Sequence, residues 1–569
     1  MKKREEVKEV FDLTYLFKNE DEFFEKLNNY DFSKILCYEG KIKNNFREFI
    51  NDFEKIEEEI SKFVTYAKLL YDTDTTNSRY QVFLDKANDL YSKFKSKTSF
   101  VEIEILNEDI CLDEELKYLE KYINDIKSKH ILSQKEESLL SNIMPIFNLS
   151  NDVFSKLNNA DIIFNKAYDK DGNKYEVSNQ RFLGLLKNKD VMIRKTAYES
   201  LYTSYKNNKN VFSTLLLGKV KEHVIISKLR GYDSARKMAL ENNFISEDIY
   251  DSLIETVFSK KDVIHDYMKF RKDYFGLKEM YMYDVHLPLV HSNEFNFSFE
   301  EAKSIIIEAL GVLGSEYKEG LEKAFDEKWI DYAENIGKRS GAYSTIATGV
   351  KPHILMTYLG NINNLYTLAH ELGHSMHTYL ASKYQKHQYK TYGIFLAEIA
   401  STMNENLLTN YLLKKYPDKR IIILNHWIDR VKSTVYRQTQ FAKFEHLIHK
   451  LVEKGEVLTW KELSDLYLDI NKDIYGNSIV YDDFISYEWA RIPHFYYNYY
   501  VYQYATGFSI SVELSNRSNM NSYLEMLKSG SSKYPMELLK NMDINIESCI
   551  NNLFVLFDER MNSLKKELI

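Results

Sequence analysis

The chain has 569 residues, of which 44% are hydrophobic and 28% are charged, so it can bury one or more sizeable cores. Its 76 basic and 84 acidic residues give a net charge of −8, which argues against a dedicated nucleic-acid-binding protein. The three cysteines (Cys37, Cys111 and Cys549) lie far apart without the spacing of metal ligands. We therefore expect reduced thiols in the core and a reducing compartment.

The first residues, MKKREEVKEVFDLTYLF, are charged and contain no continuous apolar segment, so no secretory signal is expected. Nowhere in the chain do 18 uncharged apolar residues follow one another, so no membrane span is expected either. Together these features predict a cytoplasmic protein without a membrane partner.

Helices are expected to dominate the fold, because the chain has only six prolines and 19 glycines. Residues 46–160 are rich in Glu, Lys and Leu, and their apolar residues recur at intervals of three and four, as on amphipathic helices. A Ser or Thr followed three residues later by Glu is typical of a helix start. This pattern predicts helices that begin after Ser133, Ser298 and Thr459.

Strand-like segments are short and few. We predict strands within 280–290 and 353–359, the second of which directly precedes a histidine-rich helix. Turn residues in 170-KDGNKYEVSNQ-180 separate two helical blocks. We therefore predict an N-terminal helical domain over residues 1–175 and a second domain over residues 176–569.

The stretch 367-TLAHELGHSMHTYL-380 contains the motif H-E-x-x-H, formed by His370, Glu371 and His374. Residues four apart on a helix share one face at about 6 Å, so the two imidazoles can bind one metal ion. His377 lies seven residues after His370, roughly 10 Å along the axis, whereas zinc holds its nitrogen ligands at about 2.0–2.1 Å. We therefore expect His377 to pack beside the site or to support a ligand.

A catalytic zinc site has three protein ligands and an open position, so one more ligand must come from a second element. The segment 391–413 is expected to form a helix with apolar residues on several sides, and Glu398 lies among them. A buried ionised carboxylate is costly without a partner, and a divalent cation is such a partner. Glu398 is the predicted third ligand. Glu405, seven residues further on, is the alternative, as a ligand or as support for one.

A tyrosine-rich stretch, 493-PHFYYNYYVYQYATGF-508, has six tyrosines between positions 496 and 504. Pro493 suits the first turn of a helix, which places His494 near the positive end of the helix dipole. Six tyrosines so closely spaced cover every face of a helix, so some of them must be core. Buried phenols need hydrogen-bond partners, and a face open to a channel would present several hydroxyls to a substrate.

These motifs together resemble the M3 zinc peptidases, specifically the oligoendopeptidase F subfamily. The resemblance rests on AHELGH, the spacing to LAEIASTMNE, RIPHFYYNYYVYQYATG, the stretch RSGAYSTIATGVKPHILMTYLGN and the opening VFDLTYLF, so it covers nearly the whole chain. It implies a mainly α fold, with a large helical body split by a deep substrate channel and a small β element next to the zinc helix. Residues 1–175 would then be the oligoendopeptidase F N-terminal domain, and 176–569 the M3 catalytic domain.

The resemblance also implies the metal ligands and the base. His370, His374 and Glu398 would bind one zinc ion per chain, and Glu371 would be the catalytic base. The chemistry agrees, because zinc lowers the pKa of a bound water molecule to about 7 and polarises a carbonyl. Glu371 is turned by about 100° from its neighbour on the helix and can take the proton from water and pass it to the leaving amine.

In the tyrosine-rich stretch the family has a histidine followed by tyrosines that bind substrate and stabilise the oxyanion. Carried over by position, these residues are His494 and Tyr502. Tyr496 and Tyr497 are the two alternatives for a second phenol.

The predicted function is a zinc-dependent endopeptidase that hydrolyses short unstructured oligopeptides. An extended peptide would pair with an edge strand at 353–358 through main-chain hydrogen bonds, unless that segment is only a structural hairpin. A zinc carboxypeptidase on a similar helical scaffold is a second hypothesis, and it would need a basic residue to bind the terminal carboxylate. A non-catalytic helical peptide-binding protein is a third, against which the intact Glu371 argues. The sequence leaves the oligomeric state open.

Overall fold

The fold is described from a computed structural model of the chain, which covers residues 2–290 and 295–568. The described chain is mainly helical with small sheets, as predicted. Its α-helices, in chain order, are α1 (Glu20–Asn28), α2 (Ser33–Leu36), α3 (Phe46–Thr73), α4 (Ser78–Lys97), α5 (Phe100–Asn107), α6 (Glu120–Ser128), α7 (Gln134–Lys156), α8 (Asn179–Leu186), α9 (Val191–Asn207), α10 (Lys209–Leu229), α11 (Ala235–Glu241), α12 (Glu247–Ser259), α13 (Lys261–Tyr274), α14 (Phe299–Leu310), α15 (Ser315–Asp326), α16 (Ile362–Tyr384), α17 (Ile394–Lys415), α18 (Arg420–Val431), α19 (Arg437–Glu453), α20 (Trp460–Tyr475), α21 (Tyr502–Ser515), α22 (Asn521–Ser529), α23 (Pro535–Asn541) and α24 (Ile546–Leu568).

The predicted helix starts are confirmed. Ser133, Ser298 and Thr459 each cap a helix (α7, α14 and α20), and the glutamate three residues later returns a hydrogen bond to the capping residue. None of the helices in the described part of the chain is long and apolar enough to cross a membrane. The three cysteines form no disulfide bond among the described residues. The expectation that they lie in the core is wrong for Cys37 and Cys111, which are exposed, and only Cys549 is buried.

By compactness, the chain divides into two units, each built from three separate segments. Unit 1 comprises Met1–Lys129, Ser292–Pro417 and Leu514–Asp543. Unit 2 comprises His130–His291, Asp418–Glu513 and Ile544–Ile569. The sequence instead predicts two consecutive domains that meet at residue 175. That boundary is a different kind of division, and it stays a prediction.

The strands of the described residues are two residues long. They are β1 (Ala167–Tyr168), β2 (Lys174–Tyr175), β3 (Met280–Tyr281), β4 (Ile330–Asp331), β5 (Tyr343–Ser344), β6 (Ile354–Leu355) and β7 (Ile479–Val480). The predicted strands at 280–290 and 353–359 are therefore present but shorter than expected.

In unit 1, aromatic residues of the first helices form a core that reaches the small sheet. The ring of Phe23 lies 5.2 to 5.3 Å from the rings of Phe17, Tyr66 and Phe83. Leu355 of β6 belongs to the same core. Burial of these rings therefore anchors the sheet that lies next to the histidine-rich helix.

The order of the three strands in this sheet overturns one expectation. β6 lies in the centre, parallel to β4 on one side and antiparallel to β5 on the other. The prediction that 353–358 offers a free edge is therefore wrong for Ile354 and Leu355, because both sides of that strand are paired. The outer strand next to α16 is β5, and Oγ of its Ser344 lies 2.9 Å from Oγ of Ser375.

In unit 2, buried charges lie between helices. The carboxylate of Glu488 accepts hydrogen bonds from the hydroxyls of Tyr202 and Tyr467 and from the guanidinium of Arg437. These three donors come from α9, α20 and α19, so the carboxylate joins separate helices. The arrangement satisfies a buried charge, as buried charges require.

The tyrosine-rich stretch is broken where a continuous helix was expected. Pro493 opens only a short 3-10 turn, Pro493–Tyr496, and the α-helix begins at Tyr502. Between them the backbone is extended at Tyr497 and left-handed at Tyr499. His494 therefore lies on a separate turn from the helix that carries Tyr502 and Tyr504.

Candidate metal centre

The first half of the site is α16, which begins at an asparagine cap. The side chain of Asn361 accepts a hydrogen bond from the N–H of Asn364. His370, Glu371 and His374 lie eight to twelve residues after Ile362, the first residue of the helix. The rings of the two histidines lie 4.8 Å apart, so the four-residue spacing places them side by side as expected.

The second half of the site is α17, which packs unusually close to α16. A Cβ atom at Gly373 would lie 2.6 Å from Cα of Ser401 and 2.7 Å from the carbonyl oxygen of Ala400. Only glycine permits this approach, which explains a residue that is otherwise unfavourable in a helix. The side chain of Asn404 also donates to the carbonyl of Ala369 at 3.0 Å, so a cross-helix hydrogen bond holds the register.

Close packing brings Glu398 of α17 to the two histidines. One donor atom from each of His370, His374 and Glu398 lies within 4.8 Å of the other two. These are the three residues that the sequence selects as ligands. Two imidazoles and a carboxylate are a donor set that suits zinc and leaves a position open.

Glu405 does not belong to this group of three but binds one of its members. Its Oε1 lies 2.6 Å from Nδ1 of His370. Burial disfavours a charge on His370, but the hydrogen bond and the charge of Glu405 outweigh it and raise the pKa of His370 to about 9. Because Nδ1 is engaged, Nε2 is the nitrogen that remains for a metal ion, whose binding displaces the proton from it.

The pKa of His374 is shifted in the opposite direction from that of His370. Burial, and next the positive charge of His370, lower the pKa of His374 well below its ordinary value, while the carbonyl of Ala397 opposes this shift. Its imidazole is therefore neutral, the form that binds metals. The hydroxyl of Tyr392 donates to the carbonyl oxygen of His374 at 3.1 Å and so supports the helix at this ligand.

His377 lies outside the donor group, as the rise of the helix predicts. Its side chain is fully buried, and its ring stacks on Tyr392 at 3.4 Å between centroids. The tyrosine also hydrogen-bonds Thr378, so it contacts three residues within about one turn of the ligand helix. Tyr392 had no signal in the sequence other than its position in the loop between α16 and α17.

Glu371 is buried beside the two histidines, with only 6% of its surface exposed. Burial raises the pKa of Glu371 to about 7, although the charge of His370 and a hydrogen bond from the backbone of Ser344 oppose the rise. A carboxyl group with a pKa near 7 can both take and return a proton at neutral pH. Ser344 of β5 was not singled out by sequence.

The carboxylates at this centre favour a cation. Glu371, Glu398 and Glu405 are all at least 94% buried. The negative charges of Glu371 and Glu398 add to that of Glu405 in raising the pKa of His370. Carboxylates that share a buried site repel one another unless positive charge neutralises them. The residues present therefore fit a divalent metal ion.

His494 and Tyr502 lie in unit 2. His494 is half-buried, and its ring lies 6.2 Å from that of Tyr500 and 6.0 Å from that of Tyr504. Tyr502 is 1% exposed, and its buried hydroxyl has no hydrogen-bond partner among the described residues. Tyr500 and Tyr504 were not selected from the sequence, although their four-residue spacing was a signal that they share a face.

The two alternatives for a second phenol differ in exposure. Tyr496 is buried, and its ring stacks on that of Phe154 at 4.4 Å. Tyr497 is 51% exposed, and its ring lies 5.9 Å from that of Tyr500. Packing therefore accounts for Tyr496, whereas Tyr497 is open to solvent.

Two sequence families match the chain. Peptidase family M3 matches residues 184–549. Oligopeptidase F matches residues 104–164. The two matches follow one another and together span most of the chain.

Individual relatives agree with these matches. The chain is 40% identical to oligopeptidase PepF of Bacillus subtilis (strain 168) over 94% of its own length and 83% of that protein. It is 37% identical to an oligoendopeptidase F homolog of Lactococcus lactis subsp. lactis (strain IL1403) over 99% of its length and 98% of that protein. The crystal structure of oligoendopeptidase-F from Enterococcus faecium superposes with a TM-score of 0.73 at 34% identity, covering 96% of this chain and 99% of that one.

Proposed function

This chain belongs to peptidase family M3, in the oligopeptidase F type, and from that membership we propose that it holds one zinc ion through His370, His374 and Glu398. The family makes it a metalloendopeptidase that hydrolyses oligopeptides. The hypothesis of a non-catalytic binding protein is thereby set aside. The observation that carries the zinc proposal is the convergence of the three donor atoms within 4.8 Å beside a buried glutamate.

Zinc bound at this centre would lower the pKa of a water molecule and polarise the scissile carbonyl group. Glu371 is the proposed general base. Its carboxylate takes a proton from the attacking water molecule, and the resulting acid gives the proton to the leaving amine. Burial raises the pKa of Glu371, which favours its acting as a base. Glu405 holds the ring of His370 through Nδ1 and so orients the ligand.

We assign His494 and Tyr502 to substrate binding and to stabilisation of the oxyanion. The support for Tyr502 is its buried hydroxyl, which has no partner among the described residues. A buried hydroxyl without a hydrogen-bond partner costs stability unless a ligand satisfies it. A hydrogen bond from this hydroxyl to a substrate oxygen would do so. Tyr500 and Tyr504, whose rings lie about His494, are the neighbouring phenols.

The peptide would align along β5 instead of the 353–358 segment. β5 is the outer strand of its sheet, and the backbone of Ser344 already reaches the carboxylate of Glu371. An extended peptide that adds to such an edge is held by main-chain hydrogen bonds. This mode accepts many side chains, in keeping with hydrolysis of varied oligopeptides.

We also propose that the enzyme works in the cytoplasm. None of its three cysteines forms a disulfide bond in the described part of the chain, and two of them, Cys37 and Cys111, are exposed. Exposed free thiols persist in a reducing compartment. Cell fractionation with an antibody against the protein tests this location.

The central experiment is digestion of a mixed peptide ladder, read by mass spectrometry. We expect internal cleavage that stops when a chelator removes the metal and returns when zinc is added back. Peptides with a blocked C-terminus should be cut as fast as free ones. Loss of cleavage on blocking would instead indicate a carboxypeptidase, and return of activity with another divalent metal but not with zinc would contradict the metal assignment.

A further inference from the structure

Tyr499 has an uncommon backbone conformation for a bulky residue. Its φ is 49°, in the left-handed region that favours glycine. Elsewhere in the described chain, non-glycine residues with positive φ follow the C-terminus of a helix and are bonded back to it. These residues are Phe244 after α11, Lys328 after α15 and Asp543 after α23. Tyr499 instead comes two residues after the extended Tyr497 and precedes a helix.

A buried carboxyl group from another helix holds this turn. The N–H of Tyr499 donates to Oε1 of Glu445 on α19 at 2.7 Å. Glu445 is fully buried, and burial raises its pKa well above the ordinary value. The hydroxyl of Tyr499 lies 3.2 Å from Nδ1 of His446, one residue further along α19, so both ends of Tyr499 are attached to this helix.

The left-handed backbone at Tyr499 sets the relative positions of the aromatic side chains before and after it. It lies between the 3-10 turn that carries His494 and α21, which begins at Tyr502. The reversal brings the ring of Tyr500 to 6.2 Å and that of Tyr504 to 6.0 Å from His494. A relaxed Tyr499 would change the direction in which α21 leaves the turn.

We propose that Glu445 is a positioning residue for peptide hydrolysis: by accepting the Tyr499 N–H, it holds the left-handed turn that places His494 relative to Tyr502. This inference rests on the proposed roles of His494 and Tyr502. Misplacement of a catalytic group by about 1 Å can reduce turnover up to about 100-fold, so the loss of this acceptor should be visible in kcat.

Two variants of matched size test the acceptor. Glu445→Leu fills the buried space but cannot accept the hydrogen bond, and we expect kcat to fall about 10- to 100-fold with bound zinc unchanged. Glu445→Gln keeps an oxygen at the position of Oε1 that can accept the same hydrogen bond, so we expect its kcat within threefold of the wild type. A merely structural role predicts lower melting temperatures for both variants and normal kcat.

Variants at the proposed site separate this inference from the function on which it rests. His494→Ala should lower kcat by itself, and adding Glu445→Leu should then reduce kcat much less than it does alone, because both act through one group. Normal kcat in His494→Ala would overturn the role of His494. Normal kcat in Glu445→Leu beside an impaired His494→Ala would overturn the positioning role alone, as would an equal loss in Glu445→Gln.

Hydrogen exchange on the wild-type zinc enzyme provides a test that does not depend on the folding of any variant. The amide of Tyr499 donates to a buried acceptor, so we expect it to exchange as slowly as the amides of α19. Exchange at the rate of an exposed loop would contradict the proposal. If Glu445→Leu does not fold, Glu445→Asn replaces it. The side chain of asparagine is one methylene group shorter, so its amide oxygen does not reach the N–H of Tyr499, and we expect the same loss of kcat.

Discussion

Oε1 of Glu405 lies 2.6 Å from Nδ1 of His370, and this single contact assigns different tasks to the two glutamates of α17. Glu398 joins the two histidines in the donor group, whereas Glu405 binds the far side of one imidazole. Carboxylates that hold a ligand histidine fix its tautomer and its orientation.

The two glutamates should therefore differ in their effect on metal content. Glu398→Ala should lose zinc at neutral pH, because it removes one of three ligands. Glu405→Ala should retain zinc with an affinity about 10- to 100-fold weaker, the usual cost of removing a residue that supports a ligand. Zinc per chain after dialysis against a competing chelator measures both. The reverse order would make Glu405 the ligand.

Removing the proposed base should separate turnover from metal binding. Glu371→Gln should lower kcat by at least about a thousandfold, near the upper part of the range for general acid–base catalysis. Zinc content should stay at that of the wild type, since none of the three ligands changes. Near-normal turnover in a variant with full zinc would remove Glu371 from this role.

The buried hydroxyl of Tyr502 allows a test in which kinetics and stability move independently. Tyr502→Phe removes one donor, and loss of an oxyanion donor costs about 2.7–4 kcal/mol, or 10²–10³ in kcat. KM should change much less. The melting temperature should not fall, because the variant also removes a buried hydroxyl that has no partner among the described residues. Normal kcat would place Tyr502 in the core and turn attention to His494, Tyr496 and Tyr497.

The contact between α16 and α17 predicts an unusual outcome for a glycine. Gly373→Ala should destabilise the protein and weaken zinc binding, because the new Cβ would lie within 2.7 Å of backbone atoms of Ala400 and Ser401. Gly184 is the matched control, since it also lies in a helix but has no atom within 4 Å of a Cβ position. Gly184→Ala should stabilise the protein by about 0.5–1 kcal/mol through helix propensity. Thermal melting and zinc titration of the two variants decide the matter.

Acid should destabilise unit 2 through Glu488. Although burial opposes ionisation, Arg437 lowers the pKa of Glu488 to about 2, below its ordinary value of 4.5. A depressed pKa contributes stability that is present above about pH 4.5 and is lost as the pH falls towards 2. One such proton changes the free energy of unfolding by at most about 1.4 kcal/mol per pH unit. Urea unfolding between pH 5 and pH 2.5 should show a shallower dependence for Glu488→Gln, and an unchanged slope would contradict this origin.

Features that depend on local spacing could be predicted from sequence. The i, i+4 relation of His370 and His374 needs only the geometry of a helix, and the exclusion of His377 needs only its rise. Glu398 was predicted as the third ligand because a buried carboxylate is costly without a positively charged partner. Capped helix starts such as Ser298 were equally local, because the cap and its glutamate lie within one turn.

Features that depend on residues far apart in the chain could not be predicted from the sequence. The strands β4, β5 and β6 are two residues each, and nothing in 353–358 indicates that both of its sides are paired. The left-handed turn at Tyr499 had no signal, because tyrosine is not a residue that favours positive φ and its acceptor lies 54 residues earlier in the chain.

The alternation of segments between the two units affects how the protein is made. Unit 1 takes its last segment from Leu514–Asp543, so it cannot complete its contacts until residue 543 has left the ribosome. At roughly 5–20 residues per second, synthesis up to that residue takes on the order of half a minute to two minutes. Until then unit 1 is incomplete and open to chaperone binding. Shortening the chain from its N-terminus cuts into unit 1, and shortening it from its C-terminus cuts into unit 2.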